Sequence, residues 1–249
     1  MIEFVLLAFV FGLVFGSFFN VVALRTLKGE NVSFPPSHCV NCNHNLSGKD
    51  LVPVFSWLYL RGKCRYCKVK ISPIYPFIEF LTGISYALIV YQFGVTPEAL
   101  IQIVFITILM IASSADLKEQ WIPDRFVVIG LVLVFVLRMI FNETGEIIYH
   151  LISMLAAFGM MYLIYLLSKG RLGGGDIKLY ALIGLSIGIM DAIGSLFYSS
   201  FVAVFIYYAM NIFIKKDEKV TGKTVIPYVP FITIGVLMTY FLPYFKFLP

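Results

Sequence analysis

Two sets of residues in this 249-residue sequence could do chemistry: four cysteines in two short pairs, and two aspartates at the ends of apolar runs. All four cysteines lie in one polar stretch, as Cys39-x2-Cys42 and, 21 residues further on, Cys64-x2-Cys67. Two CxxC pairs offer four thiolates in the tetrahedral arrangement that suits zinc. With every position filled by protein, such a site is closed and structural, with no coordination position left for a substrate. Two disulfides are the alternative, and a reducing cytosolic location argues against them. Asn43, Gly62 and Lys63 stand at turn positions beside the pairs. His38 and His44 flank the first pair, either as substitute ligands or as solvated loop side chains.

Among the 14 acidic residues, Glu79 lies about one turn inside an apolar run, Asp116 closes one, and Asp176 opens another. Asp176 follows Gly173-Gly174-Gly175 and begins the helical pattern Asp-Ile-Lys-Leu-Tyr-Ala-Leu, with Lys178 close by. A helix N-terminus and a nearby cation favour the ionised form, and the glycines let a substrate backbone approach without a side chain in the way. Asp116 ends a helix beside apolar sequence, where the protonated form is favoured. Two carboxylates pushed apart in this way are what a water-activating aspartic dyad requires. The bland alternative is that each only caps a helix end. Other schemes find no constellation: no P-loop lysine pattern appears, and the three histidines (His38, His44, His150) lie in a loop or at an outer end.

The elements that must position these residues are set by the solvent. The sequence is 60% apolar and 13% charged, with mean hydropathy +0.90. Soluble domains run at about 45–50% apolar and about 25% charged, so water is the wrong medium. Disorder is excluded because 24 Phe and 15 Tyr would collapse. A net charge of +5 is too modest for bulk nucleic-acid binding, so the expected surroundings are a lipid bilayer. The expected fold is all-α: a polytopic membrane protein with about eight transmembrane helices and a cytosolic zinc-binding loop. The runs are Val5–Leu24, Ile74–Phe93, Pro97–Ala115, Phe126–Phe141, Ile147–Leu167, Leu179–Met190, Ala192–Ile214 and Pro227–Phe245. The first reads as an anchor, since a signal peptide would open on basic residues and close on a small-x-small site. Gly12, Gly16, Ser17 and Asn20 within it suit close helix packing.

Lys and Arg are sorted. Loops 25–73, 115–125, 168–178 and 215–224 hold 17 of the 19, leaving Arg138 and Lys246 toward the other face. Positive charge stays cytosolic during insertion, which places the N-terminus outside and these loops inside. Three regions follow: a first transmembrane helix at 1–24, a cytosolic four-cysteine loop at 25–75, and a seven-helix membrane core at 76–249.

Several ordered motifs resemble those of the bacterial type IV prepilin peptidases, membrane aspartic proteases of the GxGD type. Gly173-Gly174-Gly175-Asp176-Ile177-Lys178-Leu179 is similar to the family's G-x-G-D-x-K-L, and Asp116 through Ile122-Pro123-Asp124 to its D-x5-I-P-[DN]. Gly16-Ser17 through Asn20 to Arg25 resembles G-S-F-x-N-V-x-x-x-R, and the loop matches through Asp50-Leu-Val-Pro53, Arg61-Gly62-Lys63-Cys64-Arg65 and Ile71-Ser72 to Glu79. Ile226-Pro227 through Pro230-Phe231 resembles I-P-F-x-P-F. The resemblance implies cleavage of the leader of type IV prepilins or pseudopilins after a glycine at the cytosolic face of the bacterial cell membrane. Asp116 and Asp176 would then be the catalytic pair. It also implies methylation of the new N-terminus by S-adenosylmethionine, in the half of the protein that includes the four-cysteine loop. The donor contacts stay open, with Glu79 as the candidate. The sequence departs from the family at Ile74, where I-S-x-R-Y-P has Arg, and it carries no Rossmann-like glycine loop. A peptidase without methyl transfer and a transporter with a structural zinc loop are the alternatives. Oligomeric state is not legible.

Overall fold

The computed structural model describes residues 1–170, 172–213 and 227–242. Arg171, Lys215, Lys216, Asp217, Glu218, Lys219, Lys223, Ile226 and Lys246 of the sequence reading lie outside the described residues. The chain forms two compact units, Met1–Lys118 and Glu119–Pro249. Both are built from helices, with no β-sheet among the described residues.

The first unit contains α1 (Ile2–Leu27), a short α2 (Phe55–Tyr59), α3 (Ile74–Phe93) and α4 (Pro97–Glu119). α1 and α3 pack backbone against backbone. A methyl group at Gly12 would come 2.7 Å from the Gly83 Cα, and one at Gly16 would come 2.8 Å from the Glu79 Cα. In lipid, where apolar side chains gain nothing from leaving water, such close approach is what holds helices together. Asn20 ties the contact together: its amide donates to the Tyr75 carbonyl at 3.2 Å, and its oxygen accepts from Ser114 at 2.8 Å. The packing role expected for Gly12, Gly16 and Asn20 is therefore observed.

The second unit contains α5 (Asp124–Phe141), α6 (Thr144–Leu167), α7 (Gly174–Ile187), α8 (Ile189–Phe213) and α9 (Val229–Phe241). Its centre is α7, where Leu179, Tyr180, Leu182 and Ile183 are fully buried. α6 crosses it closely at Gly184, where a side chain would collide with the Ser153 carbonyl and Ala157. α9 crosses α8 in the same manner at Gly235, against the Ser195 carbonyl and the Ser199 backbone. Arg138, buried at the end of α5, donates to the Ser186 carbonyl in the last turn of α7, where a cation complements the helix dipole.

Eight long helices among the described residues thus correspond to the eight apolar runs. Five are long and apolar enough to span a bilayer by length and composition: those beginning at Ile2, Ile74, Pro97, Thr144 and Ile189. α7, at 14 residues, rises only about 21 Å. Its boundaries differ from the expected run Leu179–Met190. It begins at Gly174, two residues before the helical pattern read from Asp176, and ends at Ile187, because Gly188 adopts φ +83 and breaks the helix before α8.

Candidate active site and metal centre

The two cysteine pairs fold as near-copies of one turn. Cys39 N–H donates to the His44 carbonyl and Asn43 N–H to the Cys39 carbonyl; Cys64 N–H donates to Val69 and Lys68 N–H to Cys64. Asn43 and Lys68, each directly after its second cysteine, take positive φ of 54 and 63. Asn43 is recognisable as a turn residue by its type; Lys68, at the same offset in its repeat, is not.

All four sulfurs lie within 4.8 Å of one another, and Cys39 Sγ is 3.8 Å from Cys67 Sγ. Four sulfurs at about 2.3 Å from a zinc ion are about 3.8 Å apart. A disulfide requires about 2.05 Å, and all four cysteines are free. Backbone donors prepare the thiolates. N–H groups of Cys42 and Asn41 lower the Cys39 thiol, and the Val69 N–H with the Asn41 amide lowers Cys67 to about 6. At Cys42 the His44 N–H acts downward, but desolvation and the neighbouring sulfurs push the thiol up to about 11. Four such sulfurs cannot all be ionised without a cation between them, so the donor set fits a metal ion such as zinc. His38 bonds its ring to the Pro36 carbonyl, and His44 lies on the Tyr66 ring at 3.6 Å, so the cluster is formed by cysteines alone.

The rest of the loop is fixed by two buried carboxylates. Asp50 accepts from Arg65 Nε at 2.6 Å, from the Ser47 hydroxyl and N–H at 2.7 and 3.1 Å, and from the Tyr66 hydroxyl at 3.1 Å. Burial acts to raise its pKa, but Arg65 and the other donors hold the carboxyl well below the usual carboxylate range. Glu79 reaches up from the second turn of α3 and accepts the Val54 N–H at 2.7 Å. Val54 has φ +61, a position that a β-branched residue occupies only when its surroundings enforce it. Trp57 completes the loop, donating to the Ile71 carbonyl and lying on Gly62, where a side chain would come 2.9 Å from its ring.

The two aspartates belong to different units. Asp116 is buried, one turn before the end of α4. Asp176 is half-buried in the first turn of α7, its N–H bonded to the Gly173 carbonyl. The glycines before it have unequal duties. A methyl at Gly173 would lie 3.1 Å from Asp176 Oδ2, and one at Gly175 would lie 2.9 Å from Ile122 Cδ1, whereas Gly174 has open space. Gly175 therefore seats the head of α7 on Ile122, which with Pro123 leads into α5. Lys178, two residues beyond Asp176, pairs with Asp124 at 2.7 Å.

Residues 10–93 match the bacterial peptidase A24 N-terminal domain, and residues 103–208 match the type IV leader peptidase family. The chain is 30% identical to the prepilin leader peptidase/N-methyltransferase of Bacillus subtilis, over 93% of its own length and 92% of the relative's. It is 31% identical to the type 4 prepilin-like proteins leader peptide-processing enzyme of Escherichia coli (73% and 76%), and 28% identical to the prepilin leader peptidase/N-methyltransferase of Stutzerimonas stutzeri (94% and 89%). No solved structure matches the chain. Sequence similarity over nearly the whole length, joined to an all-α architecture with several membrane-spanning helices, establishes that the chain belongs to the type IV leader peptidase family.

Proposed function

We propose that this chain is a membrane-embedded aspartic endopeptidase that removes the leader of type IV prepilins or pseudopilins after a glycine, and then methylates the new N-terminus. The observation that carries the reading is the head of α7. There Gly173 makes room for the Asp176 carboxylate and Gly175 docks on Ile122, so two of the motifs behind the resemblance interlock physically. Asp116 and Asp176 are the proposed catalytic pair. One carboxylate takes a proton from water while the other, protonated, donates to the scissile carbonyl, and no covalent intermediate forms. The leaving amine then takes up a proton.

The sorted positive charge supports an orientation with the N-terminus outside and the four-cysteine loop and both aspartates at the cytosolic face of a bacterial cell membrane. A substrate with an apolar helical stem and a charged leader would present its junction at that level. Cys39, Cys42, Cys64 and Cys67 would hold a zinc ion that orders the loop, apart from the hydrolytic chemistry. S-Adenosylmethionine would supply the methyl group. Glu79 is the candidate to face its cationic sulfonium, since a carboxylate has about four acceptor positions and the Val54 N–H uses one.

The test is incubation of the purified full chain in vesicles with a prepilin and S-adenosylmethionine, read by mass spectrometry. Loss of the leader with gain of one CH2 is expected. An uncut prepilin contradicts the peptidase, and a cut but unmethylated product contradicts the second activity.

A further inference from the structure

α2 lies outside the spans, yet one face of it is apolar and bare. Phe55, Leu58 and Tyr59, at helical spacing i, i+3 and i+4, are 64%, 57% and 80% exposed. Leu51 and Val52, a few residues before the helix, are exposed as well. In a loop bathed only by water this cluster has no physical reason to face outward.

Its depth is set by a bond already described. The residue just before α2, Val54, gives its N–H to Glu79, in the second turn of the membrane-spanning α3. α2 is therefore pinned level with the start of a transmembrane helix, at the boundary between headgroups and hydrocarbon. Exposed cations flank it: Lys49 before, Arg61 and Lys63 after. The nearest acid in sequence, Asp50, is spent on Arg65, and Glu79 is engaged by the Val54 N–H. An aromatic face edged by Lys and Arg at interfacial depth is the chemistry of a helix lying on an anionic leaflet.

We propose that α2 is an interfacial helix, with Phe55, Leu58 and Tyr59 seated among acyl chains and Arg61 and Lys63 on anionic lipid headgroups. It anchors the four-cysteine loop to the bilayer, so that the loop's position is set by lipid as well as by Glu79.

The full chain, reconstituted in vesicles of phosphatidylglycerol and phosphatidylethanolamine, carries a benzophenone amino acid in place of Tyr59. A second variant carries it in place of Phe55, and a control carries it at the exposed Asn45. Irradiation should give lipid adducts at the first two positions, about tenfold above Asn45, as burial of an aromatic face predicts. Arg61→Gln and Lys63→Gln should lower the phosphatidylglycerol share about fivefold for each charge removed. Adducts to a second copy, to another part of the same chain or to added prepilin, in place of lipid, would overturn the proposal. So would lipid adducts no more frequent than at Asn45.

Discussion

Glu79 and Val54 are 25 residues apart in sequence, yet the carboxylate of one holds the backbone N–H of the other at 2.7 Å. That single bond fastens the polar loop to a membrane helix and supports the strained φ +61 at Val54. Close packing of α1 on α3 at Gly16, against the Glu79 Cα, fixes the turn from which that carboxylate reaches.

Glu79→Ala leaves the Val54 amide without its acceptor and should loosen the loop by about 1–3 kcal/mol. Limited proteolysis of the reconstituted chain reads this directly, as faster cutting between residues 28 and 73 with the spans intact. Glu79→Gln keeps an oxygen for the amide and should behave much closer to the wild type.

Gly175→Ala drives a methyl into Ile122 and should cost about 1–3 kcal/mol in the second unit, with a matching fall in peptidase rate. Gly174→Ala meets open space and should be well tolerated. Ile122→Val removes the Cδ1 that sits at 2.9 Å, so the double variant should recover part of the loss. If Gly174→Ala and Gly175→Ala behave alike, the unequal duties assigned to these glycines are wrong.

Elemental analysis should find close to one zinc per chain. Cys64→Ser removes the most deeply buried sulfur and should abolish that zinc and open the loop to proteases, with helix content nearly unchanged. A wild-type chain purified without chelators and free of metal would contradict the structural site.

Asp50 supplies the pH dependence. Its carboxyl is held below its ordinary value, so its contribution to loop stability is fully present above the unfolded pKa of about 3.9. That contribution is lost only as the pH falls through the lower folded value. Loop protection should therefore be flat from neutrality to about pH 4, as far as Asp50 is concerned, and decline below it. Asp50→Asn should weaken the loop by about 1–2 kcal/mol at neutral pH, the half-open position of Arg65 limiting the effect.

Much of this was legible in the sequence, for reasons that differ by residue. Apolar runs locate the helices because lipid leaves the backbone few alternatives. Gly12, Gly16 and Asn20 announced the α1–α3 contact because small and amide residues stand out in such a run. The cysteine cluster followed from spacing alone. What stayed hidden depends on tertiary direction. The pairing of Lys178 with Asp124, 54 residues earlier, cannot be read along the chain. Val54 gives no sign of its left-handed backbone, which the buried Glu79 supports. The start of α7 was legible to within two residues, at Asp176 after the three glycines, although hydropathy alone begins the run at Leu179.

The central claim is that Asp116 and Asp176 together activate water on a peptide bond. Its most direct test is the cleavage rate of a purified prepilin by the Asp116→Asn and Asp176→Asn variants, each reconstituted and shown to keep its zinc. Asparagine preserves shape but can neither take a proton from water nor donate one as an acid. Each variant should fall by about a thousandfold or more, to the uncatalysed background. Substantial cleavage by either variant would contradict the account.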